Sequence, residues 1–258
     1  MGKTVDMWRD TARFIRCAKK SFEFAPPVQE YGLAVPGAPL TAEQGERFHL
    51  VRADESAEIV PQIQSLDELA ELPRGDGSAG TVACLNILQH VADPAAVAAE
   101  MIRILAPGGI LLICSCTGGR AAANLDLLWR PAPHAFQRLL APLEATLIGW
   151  QGRESDPHSL YAVGCKAPVA PKYLAGVNQF LKMFRQALSQ EERAVSWVER
   201  AREWIARLSG RSTGGRARPD YYHSQFVMHA PVDGQLPHEL FADCLQLDGT
   251  GSRLDLSR

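Results

Sequence analysis

The stretch Gly80-Thr-Val-Ala-Cys-Leu-Asn-Ile-Leu-Gln-His-Val-Ala-Asp-Pro94, continued by Glu100-Met-Ile-Arg-Ile-Leu-Ala-Pro-Gly-Gly-Ile-Leu-Leu112, decides the fold. Residues 80–88 are nearly all apolar, as in a strand covered on both faces. Asp93-Pro94 then combines a residue whose carboxylate can cap a helix with one suited to its first turn. The helix is expected to run to about Leu105, where Pro107-Gly108-Gly109 stops it. A second apolar run over 110–115 is the next strand. Strand, helix, strand with short connections is a βαβ unit, which implies a parallel sheet and a right-handed crossover.

Working outward, residues 5–22 carry apolar side chains at helical spacing (Val5, Trp8, Phe14, Ile15, Ala18) and predict one amphipathic helix, ended by Pro26-Pro27. Residues 28–32 read as a short strand closed by Gly32, 36–44 as a loop, and 48–52 as a second strand followed by Asp54-Glu55. Residues 56–72 have a helical tendency, and 76–78 are a turn. Downstream, 133–140 is a helix, and 145–150 with 160–165 is an antiparallel hairpin. Residues 167–172 read as a linker. Residues 1–166 are therefore expected to form the main domain. Residues 167–258 form a C-terminal extension with helices over 173–188 and 190–208, a Gly- and Arg-rich loop over 210–219, and little periodicity in the last forty residues.

The 258 residues carry 27 basic and 29 acidic side chains, for a net charge of −2. Such a balance gives no footprint for nucleic acid or an anionic membrane. The longest apolar run, 110–116, is too short to span a bilayer, and the first residues lack the apolar core of a signal peptide. Of six cysteines, Cys84, Cys114, Cys116 and Cys165 lie in strand-like runs and read as buried free thiols, consistent with a reducing, cytoplasmic setting. The Cys114-Ser-Cys116 spacing is too short for a zinc knuckle, so no metal site is expected.

The joined elements His-Val-x-Asp-Pro and Pro-Gly-Gly resemble the class I S-adenosylmethionine-dependent methyltransferases, above all a bacterial subgroup with Leu-Glu-His-Val, Asp-Pro and Arg-x-Leu-x-Pro-Gly-Gly. The similarity extends upstream to Glu30-Tyr-Gly-Leu-Ala-Val-Pro-Gly37 and downstream to Leu128-Trp-Arg-Pro-Ala-Pro-His134, covering roughly residues 22–166. It implies a doubly wound, mostly parallel, Rossmann-like sheet with the cofactor across the carboxyl ends of its strands.

Carried onto this chain, the resemblance implies that Glu30 and Gly32 meet the cofactor's methionine end, that Asp54 holds the ribose, and that Asp67 faces the adenine. Asn86 and Gln89 stand where relatives have carboxylates near the sulfonium. His90 and His134 are the candidate general bases, needed where the acceptor must lose a proton. Arg130 is a candidate grip on an anionic acceptor group.

For the residues taken one by one, plainer readings stand beside these: a strand-ending turn for Gly32, an exposed helix acid for Asp67, a packed histidine for His90, a surface arginine for Arg130. Two functions follow. One is methyl transfer to a hydroxyl of a small molecule or glycan. The other is a catalytically inactive methyltransferase-like scaffold, with residues 173–258 docking a protein partner or a second copy. Arg52, Asn86, Gln89 and the single motif glycine motivate the second.

Overall fold

The computed structural model describes residues 5–32, 45–49, 66–116, 127–208, 224–230 and 245–246. Eight strands form one sheet: β1 (Val28–Gly32), β2 (Gly45–His49), β3 (Ala79–Leu85), β4 (Leu105–Cys116), β5 (Ala145–Arg153), β6 (Asp156–Cys165), β7 (Ser224–His229) and β8 (Leu245–Gln246). Their order is β2-β1-β3-β4-β6-β5-β7-β8. The β2-β1-β3-β4 half is parallel, β4-β6-β5-β7 is antiparallel, and β7-β8 is parallel. With helices on both faces, this is the doubly wound, Rossmann-like sheet expected, with the antiparallel hairpin β5–β6 beyond its parallel half and β7 and β8 outside the hairpin.

Helix α2 (Pro94–Ile104) starts as its sequence dictates. The Asp93 side chain accepts from the Ala95 and Ala96 N–H groups at 3.0 Å each, which satisfies two donors that the helix itself cannot. The helix stops at Ile104, and β4 begins at once at Leu105, earlier than the predicted 110. Gly108 takes φ +71 within that strand, where its register against β3 shifts. At the other end of the unit, β3 is shorter than predicted: it stops at Leu85, and a 3-10 turn, Leu88–His90, follows.

Helices α1 (Val5–Ser21) and α4 (Pro171–Leu208) cover one face of the sheet. Phe14, Ile15 and Ala18 of α1 meet Val177, Phe180 and Phe184 of α4 over Leu112, Leu147 and Val163. Full burial of side chains such as Phe14 and Ile15 contributes about 1.5–3 kcal/mol each. Helix α2 and α3 (Pro133–Leu139), with the turn Leu66–Ala70, cover the other face.

Three expectations change. The second strand lies at 45–49 rather than 48–52. The two helices expected over 173–188 and 190–208 are one, because no Gly or Pro interrupts residues 177–208 and Ser189 alone does not break a helix. The last forty residues contain β7, which pairs with β5. Tyr173 to Leu188 of α4 thus pack in the same core as the preceding chain, and β7 joins its sheet. Among the described residues no helix is long and apolar enough to cross a membrane. The loop calls over 36–44 and 210–219, and Arg52, Asp54 and Glu55, lie outside the described residues.

Candidate cofactor and acceptor site

The chain passes from β1 to β2 on one side and from β2 to β3 on the other, so the strand order reverses between β1 and β3. In open α/β sheets a crevice for ligands opens at such a point, outside the carboxyl ends of the strands. Gly32 ends β1 there, in register with Leu85. Its φ is +142, and a Cβ would stand 2.0 Å from the Leu85 carbonyl oxygen. No side chain fits against the neighbouring strand, so glycine is required there. Two residues earlier, Glu30 is buried in β1. Asp67 lies in the turn Leu66–Ala70; Asp54 lies outside the described residues.

Asn86 follows β3 with φ +55, the left-handed conformation that asparagine tolerates better than most residues. Its side chain is engaged at both ends. Nδ2 donates to Thr11 Oγ1 at 2.8 Å, and Oδ1 accepts from the Cys116 N–H at 3.1 Å. The residue expected to face the cofactor thus also ties α1 to the ends of β3 and β4. The Thr11 hydroxyl further lies 3.5 Å from Cys114 Sγ and 3.6 Å from Cys116 Sγ.

The turn after Asn86 presents Gln89 and His90, both buried. Gln89 Oε1 accepts from the Ser115 hydroxyl at 2.6 Å, which fixes the amide. The Leu127–Ala132 segment clamps this turn: the Leu128 N–H donates to the Gln89 carbonyl at 3.0 Å and Trp129 Nε1 to the Leu88 carbonyl at 2.5 Å. His134 is exposed on the first turn of α3. Arg130 is also exposed and pairs with Asp156, at the start of β6, at 3.2 Å. The structure therefore gathers Glu30, Gly32, Asn86, Gln89 and His90 at the carboxyl edge, while His134 and Arg130 stand at the surface.

Sequence reasoning missed Thr11 and Ser115. Their partners lie 75 and 26 residues away along the chain, and neither residue sits in a recognisable motif. On the α1 side of the same edge a further buried group escaped notice. Arg13 donates to Asp10, Gln151 and Glu191 at 2.6 Å each, and Asp10 accepts from Ser159 at 2.9 Å. Burial works against the Arg13 charge, but Tyr161, Asp10 and Glu191 more than offset it, so its pKa lies above the usual arginine value.

With this geometry in place, the comparisons with known proteins are specific. The methyltransferase-domain family model matches residues 38–113. Residues 38–113 are thus similar to the methyltransferase domain. It is 31% identical over 127 residues to a ubiquinone biosynthesis O-methyltransferase of Xanthomonas oryzae pv. oryzae; the match takes in 46% of this chain and 52% of that protein. The chain thus spans about half the length of the curated relative it matches.

Among solved structures, the domain is similar to the N-methyltransferase NodS of Bradyrhizobium japonicum, with a TM-score of 0.44 and 14% identity over 61% of this chain and 94% of the other. It is also similar to a SAM-dependent methyltransferase of Thermotoga maritima, with a TM-score of 0.43 and 16% identity over 63% and 94%.

Proposed function

We propose that the protein is an S-adenosylmethionine-dependent methyltransferase acting on a hydroxyl of a small molecule or glycan. The observation that supports this reading is the gathering of Glu30, Gly32, Asn86, Gln89 and His90 at the carboxyl ends of β1 and β3, where the strand order reverses. The O-methyltransferase name of the Xanthomonas relative supports a hydroxyl acceptor.

In this reading Glu30 takes the ammonium of the cofactor's methionine end, the backbone at Gly32 packs against it, and Asp54 and Asp67 serve the ribose and adenine. Asn86 shapes the floor through its hydrogen bonds to Thr11 and Cys116, and Gln89 offers its amide above. The cofactor, when bound, supplies an electrophilic methyl for in-line displacement by the acceptor oxygen. The protein's part is to align that oxygen and exclude water. His90, buried beside Gln89, takes the proton from the acceptor hydroxyl, with His134 as the surface alternative. Arg130, paired with Asp156, borders the acceptor's entrance.

Calorimetric titration with S-adenosylhomocysteine tests this. Binding in the micromolar range is expected, with at least a hundredfold loss in Gly32→Ala. No binding at millimolar ligand would overturn the enzymatic reading and leave the scaffold one.

A further inference from the structure

Among the buried N–H donors without an acceptor in the described residues are Gln89 Nε2 and Trp150 Nε1, on side chains almost wholly withdrawn from solvent. Buried polar groups are rarely left without a partner, and an orphan costs stability. Trp150 can only donate. Gln89 is not free to turn away, because Ser115 holds its Oε1.

The two orphans belong to one row. Ser115 of β4 is in register with Leu160 of β6, and Leu160 with Trp150 of β5. Leu160 and Trp150 both pack in the layer beneath α2 and α3. Ser115 faces the same way, two residues beyond Ile113 of that layer. Two strand spacings, about 10 Å, separate the backbones of Ser115 and Trp150. Trp129, packed partly against the same layer, borders the row where it clamps the turn at Leu88.

We propose that Gln89 Nε2 and Trp150 Nε1 are the donors of an oxygen-binding subsite for the methyl acceptor, which takes a carbonyl or ether oxygen of an uncharged, planar molecule. This rests on the methyltransferase reading above and narrows its substrate. Neutral N–H donors favour an oxygen acceptor and disfavour an ammonium group, and among the described residues the row offers no carboxylate to compensate a cation. Leu160 and the two indoles give an apolar, aromatic setting that suits a flat ring. A sugar would bring many hydroxyl donors, for which the row has few acceptors.

The test uses the full chain and two probes, 3,4-dihydroxyacetophenone and 4-ethylcatechol, which differ in the carbonyl. Each is titrated calorimetrically with and without S-adenosylhomocysteine. The ketone is expected to bind at least tenfold more tightly than the ethyl compound. That preference should fall below threefold in Gln89→Met and in Trp150→Phe, with no drop in the thermal midpoint of Trp150→Phe, which removes only an orphan donor; Gln89→Met also loses the bond from Ser115. Gln89→Glu, which turns an acceptor toward the ligand, should abolish ketone binding.

Equal binding of the two probes, no binding of either at millimolar concentration, or a preference that survives in both variants would overturn the subsite. The last of these would leave the donors to bound water. Absence of the ketone preference in the parent protein with S-adenosylhomocysteine binding intact sinks the subsite alone. Failure of S-adenosylhomocysteine binding sinks the enzymatic reading.

Discussion

Asn86 Nδ2 donates to Thr11 Oγ1 at 2.8 Å across 75 residues of chain, joining the first helix to the end of β3. The contact is fully buried, and both partners have further neighbours: Cys116 for Asn86, Cys114 and Cys116 for Thr11. Thr11→Val leaves the Asn86 amide unsatisfied and should destabilise by about 1–3 kcal/mol. Asn86→Ala loses the same bond and the one to Cys116, and places alanine at a positive φ, so about 2–4 kcal/mol is expected. The two effects should not add, because they share one hydrogen bond. Urea unfolding of the single and double variants reads this directly; strict additivity would show that the two residues act independently.

Arg13 is the centre of a buried charge group linking α1, the β5–β6 hairpin and α4. Its guanidinium reaches Asp10, Gln151 and Glu191 and lies 5.2 Å from the centre of the Phe184 ring. Arg13→Met would strip the buried Asp10 carboxylate of its guanidinium, while Ser159 and the nearby His158 stay beside it. A loss of about 3–5 kcal/mol is expected from breaking such a pair. Replacing Asp10 and Arg13 together by Asn and Met should cost less than Arg13→Met alone. Chemical denaturation of both variants checks the order.

What the sequence could reveal follows the range of the interactions. The Asp93 cap is made with residues two and three positions on, so a local pattern was enough to find it. Gly32 was legible for a similar reason: a strand that must end in a turn shows its glycine. β7 was hidden because six residues with a mixed pattern become a strand only through pairing with β5, more than seventy residues away. The break expected within 171–208 read Ser189 as punctuation, when the flanking side chains favour helix. At the site, chemical type was readable and engagement was not. Asn86 and Gln89 were visible as amides in place of carboxylates, but their hydrogen bonds to Thr11, Cys116 and Ser115 depend on the assembled sheet.

The Glu100 carboxyl is held below its ordinary range, first by side-chain hydrogen bonds from Arg103, against the opposing effect of burial, and also by the Leu72 N–H. Arg103 in turn reaches Asp76 and the Leu72 and Arg74 carbonyls, so the network anchors α2 to the segment that leads into β3. A carboxyl depressed in the folded state contributes stability above its unfolded pKa, about 4.3, and loses it as pH falls through the folded value. Glu100→Gln should therefore be less stable than the parent at pH 7. The gap should narrow below about pH 4 and vanish once the parent's carboxyl is protonated in both states. Unfolding midpoints at pH 7, 4 and 3 measure this; a gap independent of pH would remove the charge from the explanation.

Cys17, Cys84, Cys114, Cys116 and Cys165 are free and buried. Burial pushes the Cys17 and Cys165 thiols up to about 11, and those of Cys84 and Cys114 are raised as well, again chiefly by burial. Thiolate is the reactive form, so all four are unreactive at ordinary pH on two counts, access and protonation. Cys114 and Cys116 have their sulfurs 3.7 Å apart, but Thr11 of α1 lies against both. Native protein treated with a disulfide reagent at pH 8 should leave these five thiols unlabelled over minutes, as read by peptide mass spectrometry. Thr11→Ala, which loosens α1 over the edge, should admit label first at Cys116 and Cys114 while Cys84 stays protected. Uniform labelling of all five in that variant would mean that the fold opens as a whole, and that α1 does not guard this edge separately.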